Sequence, residues 1–180
     1  MVEDVPWQAS IRYDDKHICS GAILSTKYIV TNSDCASMIP LSNLKVFVGI
    51  SSRVMESGTV AGPDLLAIAT SAGFTALRWP TFQFRSDKSA HMRKQNVKLY
   101  DVKACIAEHY NWIVKGSGIT DQNICAAKQD KVCSFDKGFS LVIDGKLAGV
   151  LALDECTKKT DVFVRLFHHT NWIKDNTKDN

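Results

Sequence analysis

"VCSFDKGFSLVIDGKLAGVLAL", residues 132–153, contains a loop, an apolar run, a turn signal and a second apolar run. Asp144-Gly145 separates "SLVI" from "KLAGVLAL". A two-residue type I′ turn needs positive φ at both centres, which Asp-Gly tolerates, so this part predicts a β-hairpin. The loop before it offers Cys133, an adjacent Asp136-Lys137 pair and Gly138. Those residue types suit a nucleophile site, and they suit a disulfide-anchored turn equally well.

Outward from the hairpin, the chain continues as short strands between turns. "WQASIRY" and "LKVFVGI" alternate in the manner of half-buried strands, and "DVFVRLF" does the same near the end. "GAILSTKYIVTNS" offers two strands around Ser25-Thr26-Lys27. Helical signals are few. Asp101 to Tyr110 predicts a short amphipathic helix with Val102, Cys105 and Ile106 on one face, and Thr170 to Lys174 predicts a terminal helix begun by a Thr cap. Many short strands with few helices predict an all-β barrel or sandwich.

A chain of 180 residues with 45% hydrophobic and 23% charged content can bury a substantial core. The formal net charge of +3 is too small to suggest a nucleic-acid binder. The densest basic stretch, His91-Met92-Arg93-Lys94 with Lys98, predicts a solvated loop. No apolar run approaches the ~18 residues of a membrane span, and the acidic Met1-Val2-Glu3-Asp4 does not read as a signal peptide. The six cysteines show no C-x-x-C spacing, which argues against zinc and predicts no metal site. Their even number points to disulfides in an oxidising, extracellular compartment, with many pairings open. No phosphate loop, HExxH motif or other cofactor signature is present, so no cofactor is expected.

Three segments together resemble the trypsin/chymotrypsin family of serine proteases. "VPWQASIRYDDKHICSGAILSTKYIVTNSDC", residues 5–35, follows that family's Pro-aromatic-Gln-x-Ser start, its H-x-C-x-G strand and its T-A-A-H-C loop. "ITDQNICAAKQDKVCSFDKGFSLVIDGKLAGVLAL", residues 119–153, follows the stretch around C-x-G-D-S-G-G-P. "DVFVRLFHHTNWIKDN", residues 161–176, is similar to the closing strand and terminal N-W-I helix. The resemblance implies a double six-stranded β-barrel with a C-terminal helix. The chain is short of the usual length, and the shortfall falls in the first barrel. One domain is therefore expected, with residues 1–60 as a first-barrel remnant and 61–180 as the second barrel and helix. The resemblance also implies the pairings Cys19–Cys35, Cys105–Cys125 and Cys133–Cys156.

The same resemblance assigns each site position a role. Acyl transfer in this family needs a serine, a histidine base, an aspartate that orients it, and backbone N–H donors for the oxyanion. The histidine position falls on Asp34, and a carboxylate is a poor base near neutral pH. The serine position falls on Lys137, which can attack only as a neutral amine; Asp136 beside it and Asp34 nearby both favour the ammonium. Lys137 is expected to pair with one of the two. The aspartate's strand has no clear counterpart, because "VGISSRVMESGTV" runs directly into "AGPDLLAIATSAGFTAL". There "TSAGFTAL" resembles a second-barrel strand, and Asp64 after Gly62-Pro63 is expected in a turn before a strand.

The substrate apparatus is altered as well. The oxyanion-hole glycine falls on Phe135, and the base of the specificity pocket falls on Lys131. The pocket glycines fall on Asp154 and Asp161, and the S-W-G edge strand begins at Ala152 and Leu153. Asp136 matches the aspartate that pairs with a new N-terminus in active enzymes, yet no I-V-G-G motif precedes Val5-Pro6. His17 matches a strand position away from proton transfer, and His109, His168 and His169 are expected at the surface. The chain thus resembles a secreted, inactive protease homologue, in the manner of inactivated protease paralogues of parasitic mites. That implies a binding protein whose partners are proteins, including host defence proteases such as those of complement. A regulatory cofactor of an active protease and a rewired hydrolase using Asp34 and Lys137 are the competing readings.

Overall fold

The computed structural model describes residues 5–37, 39–49, 59–61, 65–68, 96–110, 115–127, 137–154 and 160–178. Strands dominate. The first part forms β1 (Gln8–Tyr13), β2 (Lys16–Ile23), β3 (Ile29–Asn32), β4 (Leu44–Val48), β5 (Thr59–Ala61) and β6 (Leu65–Ile68), with a helical turn α1 (Ser33–Ser37) after β3. They make one six-stranded sheet in the order β5-β4-β1-β2-β3-β6. The second part forms β7 (Lys98–Leu99), α2 (Val102–Glu108), β8 (Asn123–Ala127), β9 (Ser140–Ile143), β10 (Lys146–Asp154), β11 (Thr160–Arg165) and α3 (Thr170–Asn176). Its five strands run in the order β7-β8-β11-β10-β9. The all-β architecture with a C-terminal helix is that of a trypsin-like fold with a shortened first barrel. Among the described residues, no helix is long and apolar enough to cross a membrane.

The first sheet extends past residue 60, where the sequence placed its limit, because β6 joins it beside β3. That pairing is parallel, while the other pairings of the sheet are antiparallel. Its cause lies in chain length. β5 and β6 occupy opposite edges, yet only three positions separate Ala61 from Leu65. Four residue steps reach at most about 14 Å, whereas five strand spacings in a flat sheet cover about 24 Å. The sheet must therefore curl until its edges approach, and one continuing chain direction serves both.

Curling explains a second departure. Alternation in "WQASIRY" predicts one exposed face for β1, but residues 8–12 are all buried. Ala9 and Ile11 pack with Cys19, Ile29, Leu44 and Val46 in the interior of the first sheet. The opposite side is also covered, so its polar groups find internal partners. Arg12, 1% exposed, places its guanidinium over the Phe47 ring at 4.5 Å and donates through Nε to Ser10 Oγ at 3.3 Å. Ser10 Oγ in turn lies 2.8 Å from His17 Nδ1.

The β9–β10 hairpin turns at Asp144 and Gly145, whose φ values of 49° and 72° are those a type I′ turn requires. In α2, Asp101 accepts a hydrogen bond from Ala104 N at 2.9 Å, and Cys105 is fully buried in its bridge to Cys125 on β8. Two side-chain expectations fail here. His109 is 7% exposed rather than superficial, with Nε2 2.9 Å from Thr160 Oγ1, because the end of α2 packs against β11. Thr170 does not cap α3. A 3-10 turn over Leu166–His169 leads directly into the helix, and Thr170 Oγ1 donates back to Phe167 O at 2.7 Å. The two sheets share a core in which Ala22 and Val30 meet Val150, Val164 and Leu166.

The Cys105–Cys125 bridge closes a separation of 20 residues. Replacing both cysteines with alanine is expected to lower stability by about 3 kcal/mol through gained unfolded-state entropy. Urea denaturation of the double variant measures this as a reduced midpoint with a native fold retained.

Candidate functional site

The site forms where the loop before β9 meets β2 and the end of β3. Lys137 O accepts from Ser20 N at 2.9 Å, which ties the loop backbone to the first sheet. Gly138 N then donates to Leu151 O at 2.8 Å, and Leu151 N donates to Phe139 O at 2.8 Å, which tie it to β10. Gly138 has φ +81°, and a Cβ there would collide with Ser20 O and Thr31 Oγ1. Only glycine meets both demands at this position. Two residues further on, Ser140 Oγ donates to Gln8 Oε1 at 2.7 Å and accepts from Trp7 Nε1 at 3.1 Å.

Asp34 approaches from the other side. β3 passes into α1 at Asn32, whose Oδ1 accepts from Asp34 N at 2.8 Å and whose Nδ2 donates to Leu151 O at 3.4 Å. Asn32 is 2% exposed and so fixes the start of α1 against the second sheet. Cys35 adds a covalent anchor to Cys19 on β2, with Cα atoms 6.0 Å apart. Held this way, the Asp34 carboxylate forms an ion pair with the Lys137 ammonium across 103 positions of sequence. Of the two carboxylates expected to hold Lys137, the structure brings Asp34 to it.

Both partners are half exposed, at 45% for the Lys137 side chain and 55% for Asp34. Water screens such a pair, so its contribution to stability is at most about 1 kcal/mol. Its chemical consequence is larger. An ammonium held by a carboxylate presents no lone pair for attack, and the carboxylate that would receive a proton is already engaged. Among the described residues, no three His, Cys, Asp or Glu side chains converge as metal ligands.

The other predicted site residues divide into two groups. Ala152 and Leu153 lie on β10, at an irregularity in its pairing with β11, and both are half-buried. Asp154 and Asp161 stand directly opposite one another in that pairing. Phe135, Asp136, Lys131, Asp64, the basic stretch 91–94 and the Cys133–Cys156 bridge lie outside the described residues, as does the side chain of Asp154. Sequence reasoning passed over Ser20, Asn32 and Gln8, which carry the hydrogen bonds that assemble the site. Their polar side chains and backbone groups give no separate signal, because the contacts arise only when the two sheets meet.

Two β-sheets packed through a shared core, with an anchored loop of one facing the disulfide-bonded turn of the other, define a serine-protease-like fold. The trypsin family model matches residues 2–68 and 58–173. The chain belongs to the trypsin family. The two matched segments overlap at 58–68, the stretch that includes β5 and β6 at the two edges of the first sheet. The chain is similar to hypodermin-B of Hypoderma lineatum, with 26% identity across 98% of this chain and 84% of that protein. It is similar to trypsin alpha-4 of Lucilia cuprina, with 25% identity across 84% of this chain and 73% of that one. Among solved structures, the scabies mite inactivated protease paralogue S-D1 superposes with a TM-score of 0.70 at 21% identity, over 97% of this chain and 93% of that one. Mouse neuropsin, a serine protease, superposes with a TM-score of 0.64 at 18% identity, over 99% and 97%. At these identities the structural likenesses establish the fold.

Backbone and side chain at this loop should respond differently to substitution. Gly138→Ala is expected to destabilise the protein by about 2–5 kcal/mol, from left-handed strain plus overpacking against Ser20. Lys137→Ala should change stability by no more than about 1 kcal/mol. Denaturant titration of both variants checks the contrast.

Proposed function

We propose that this chain is a trypsin-family protein that no longer cleaves peptides and acts by binding other proteins. The observation that carries the reading is the Asp34–Lys137 ion pair. Aligned on the family's motifs, these two residues occupy the positions of the histidine base and the serine nucleophile. The pair satisfies both charges internally and leaves no nucleophile–base couple at that place. Phe135 at the oxyanion position, Lys131 at the pocket base, and Asp154 and Asp161 at the pocket walls belong to the same reading.

The disulfides and the family favour secretion. The partner class is our inference from the sequence's resemblance to inactivated protease paralogues of parasitic mites; the superposition on the scabies mite inactivated paralogue supports the shared fold. On this reading the chain acts on host defence cascades, of which complement is one, by occupying a protein surface rather than by cutting it. The whole chain is read as one domain because, beside the interior of each sheet, Ala22 and Val30 of the first share a buried cluster with Val150, Val164 and Leu166 of the second.

A fluorophosphonate probe and a peptide-substrate panel test the first half of the proposal. The expected outcome is no labelling and no turnover; turnover that vanishes in Lys137→Ala would overturn it and establish a rewired hydrolase. Immobilised protein exposed to host serum tests the second half. Retention of a defined protease-cascade component is expected, whereas retention only of a protease from the source organism's own fluids would establish an endogenous cofactor instead.

A further inference from the structure

Between α3 and the second sheet runs a groove of about 720 Å³. Ile124, Ile143, Leu147, Leu166 and Ile173 line it from the second half of the chain, and Leu24 closes it from the first. Its volume lies within the roughly 300–1,000 Å³ typical of small-molecule sites, and its walls have the apolar character of such sites. Two more lining residues are large, apolar and open to solvent, Phe167 at 81% and Leu99 at 64%. Apolar side chains gathered at one groove and left exposed mark a binding surface.

Among the described residues, the charges lining the groove have one sign. Arg165 and Lys174 are its charged lining residues. Arg165 donates from Nη2 to the backbone oxygen of Asn123 at 3.1 Å and has no carboxylate partner among the described residues. Lys174 makes no hydrogen bond or ion pair among them. The neighbouring acid, Asp175, is taken by Lys178 at 2.7 Å. The groove therefore offers an apolar bed beside two cations that have no carboxylate partner among the described residues.

Hydrogen-bonding capacity separates the possible occupants. Among the described residues, Thr170 is the one neutral polar side chain in the lining, and its hydroxyl already donates to Phe167 O. A bound peptide would bring amide groups that lose water and find few partners. An alkyl chain brings none. We propose that this groove binds an amphiphile consisting of a medium-length alkyl chain with a terminal carboxylate. The chain lies against Phe167 and the aliphatic wall, and the carboxylate faces Lys174 and Arg165. This inference is independent of the reading of the Asp34–Lys137 site.

Decanoate, decanol and decylamine, each kept below its aggregation threshold and titrated into the full chain, test it by calorimetry and tryptophan fluorescence. Decanoate should bind saturably, decanol at least about 10-fold more weakly, and decylamine not at all. Lys174→Glu should weaken decanoate by about 5-fold or more, and Phe167→Ser should weaken it too. Both side chains are exposed, and an unchanged thermal midpoint confirms that each variant folds. Absence of decanoate binding overturns the proposal. So does equal binding of the three probes, or decanoate binding that neither substitution alters; binding confined to peptide probes would assign the groove to a protein partner instead.

Discussion

Where the loop before β9 touches the first sheet, the backbone of Gly138 passes against the carbonyl of Ser20 with no room for a side chain. The neighbouring groups complete a set of main-chain contacts. Lys137 O receives Ser20 N, Gly138 N reaches Leu151 O, and Thr31 Oγ1 donates to Ser20 O at 2.6 Å. Ser20 thus stands between β3 of one sheet and the loop that feeds the other. Asn32 and Gln8 extend this contact on either side, and Val30, Ala22 and Val150 pack beneath it. The relative placement of the two sheets, and hence the meeting of Asp34 with Lys137, depends on that close approach.

The shortened first barrel solves a problem that its sequence creates. Removing strands from a closed sheet exposes backbone edges that invite pairing with other chains. Here the three residues between β5 and β6 force the two edges together, and β6 covers the outer side of β3 in parallel. The covered β3 is the strand that delivers Asn32 and Asp34 to the site. A shorter barrel can therefore hold α1 in place, with the Cys19–Cys35 bridge fixing it from the β2 side.

Much of this architecture is legible in local sequence because local chemistry specifies it. Asp144-Gly145 carries its turn type in two residues, and Asp101 carries the cap of α2. The β1–β2 turn at Asp14 and Asp15 has positive φ at both residues as well, 49° and 58°, but without glycine it sends no comparable signal. What stays hidden is set by distant packing. Nothing near Arg12 announces that Phe47 will lie over its face, and nothing near His109 announces Thr160. The parallel β3–β6 pair is hidden for the same reason, since it follows from the reach of a linker across a curled sheet. The pairing of Lys137 with Asp34 was legible only through family motifs that bring two remote segments together.

At Lys137 the backbone and the side chain meet different constraints, and the geometry supplies the reason. The backbone of Lys137 and Gly138 is part of the contact between the sheets, so any change that moves it disturbs the fold. The side chain of Lys137 projects from that contact and is half solvated, so its replacement disturbs little. A lysine opposite an aspartate is one of the least demanding occupants, because the pair needs no buried partner and leaves no uncompensated charge. The fold therefore depends on Gly138, Ser20 and the Cys19–Cys35 disulfide whichever side chain stands at residue 137. Recognisable protease motifs in this chain are evidence of a shared scaffold, and the side chains at residues 34 and 137 are the evidence about reaction.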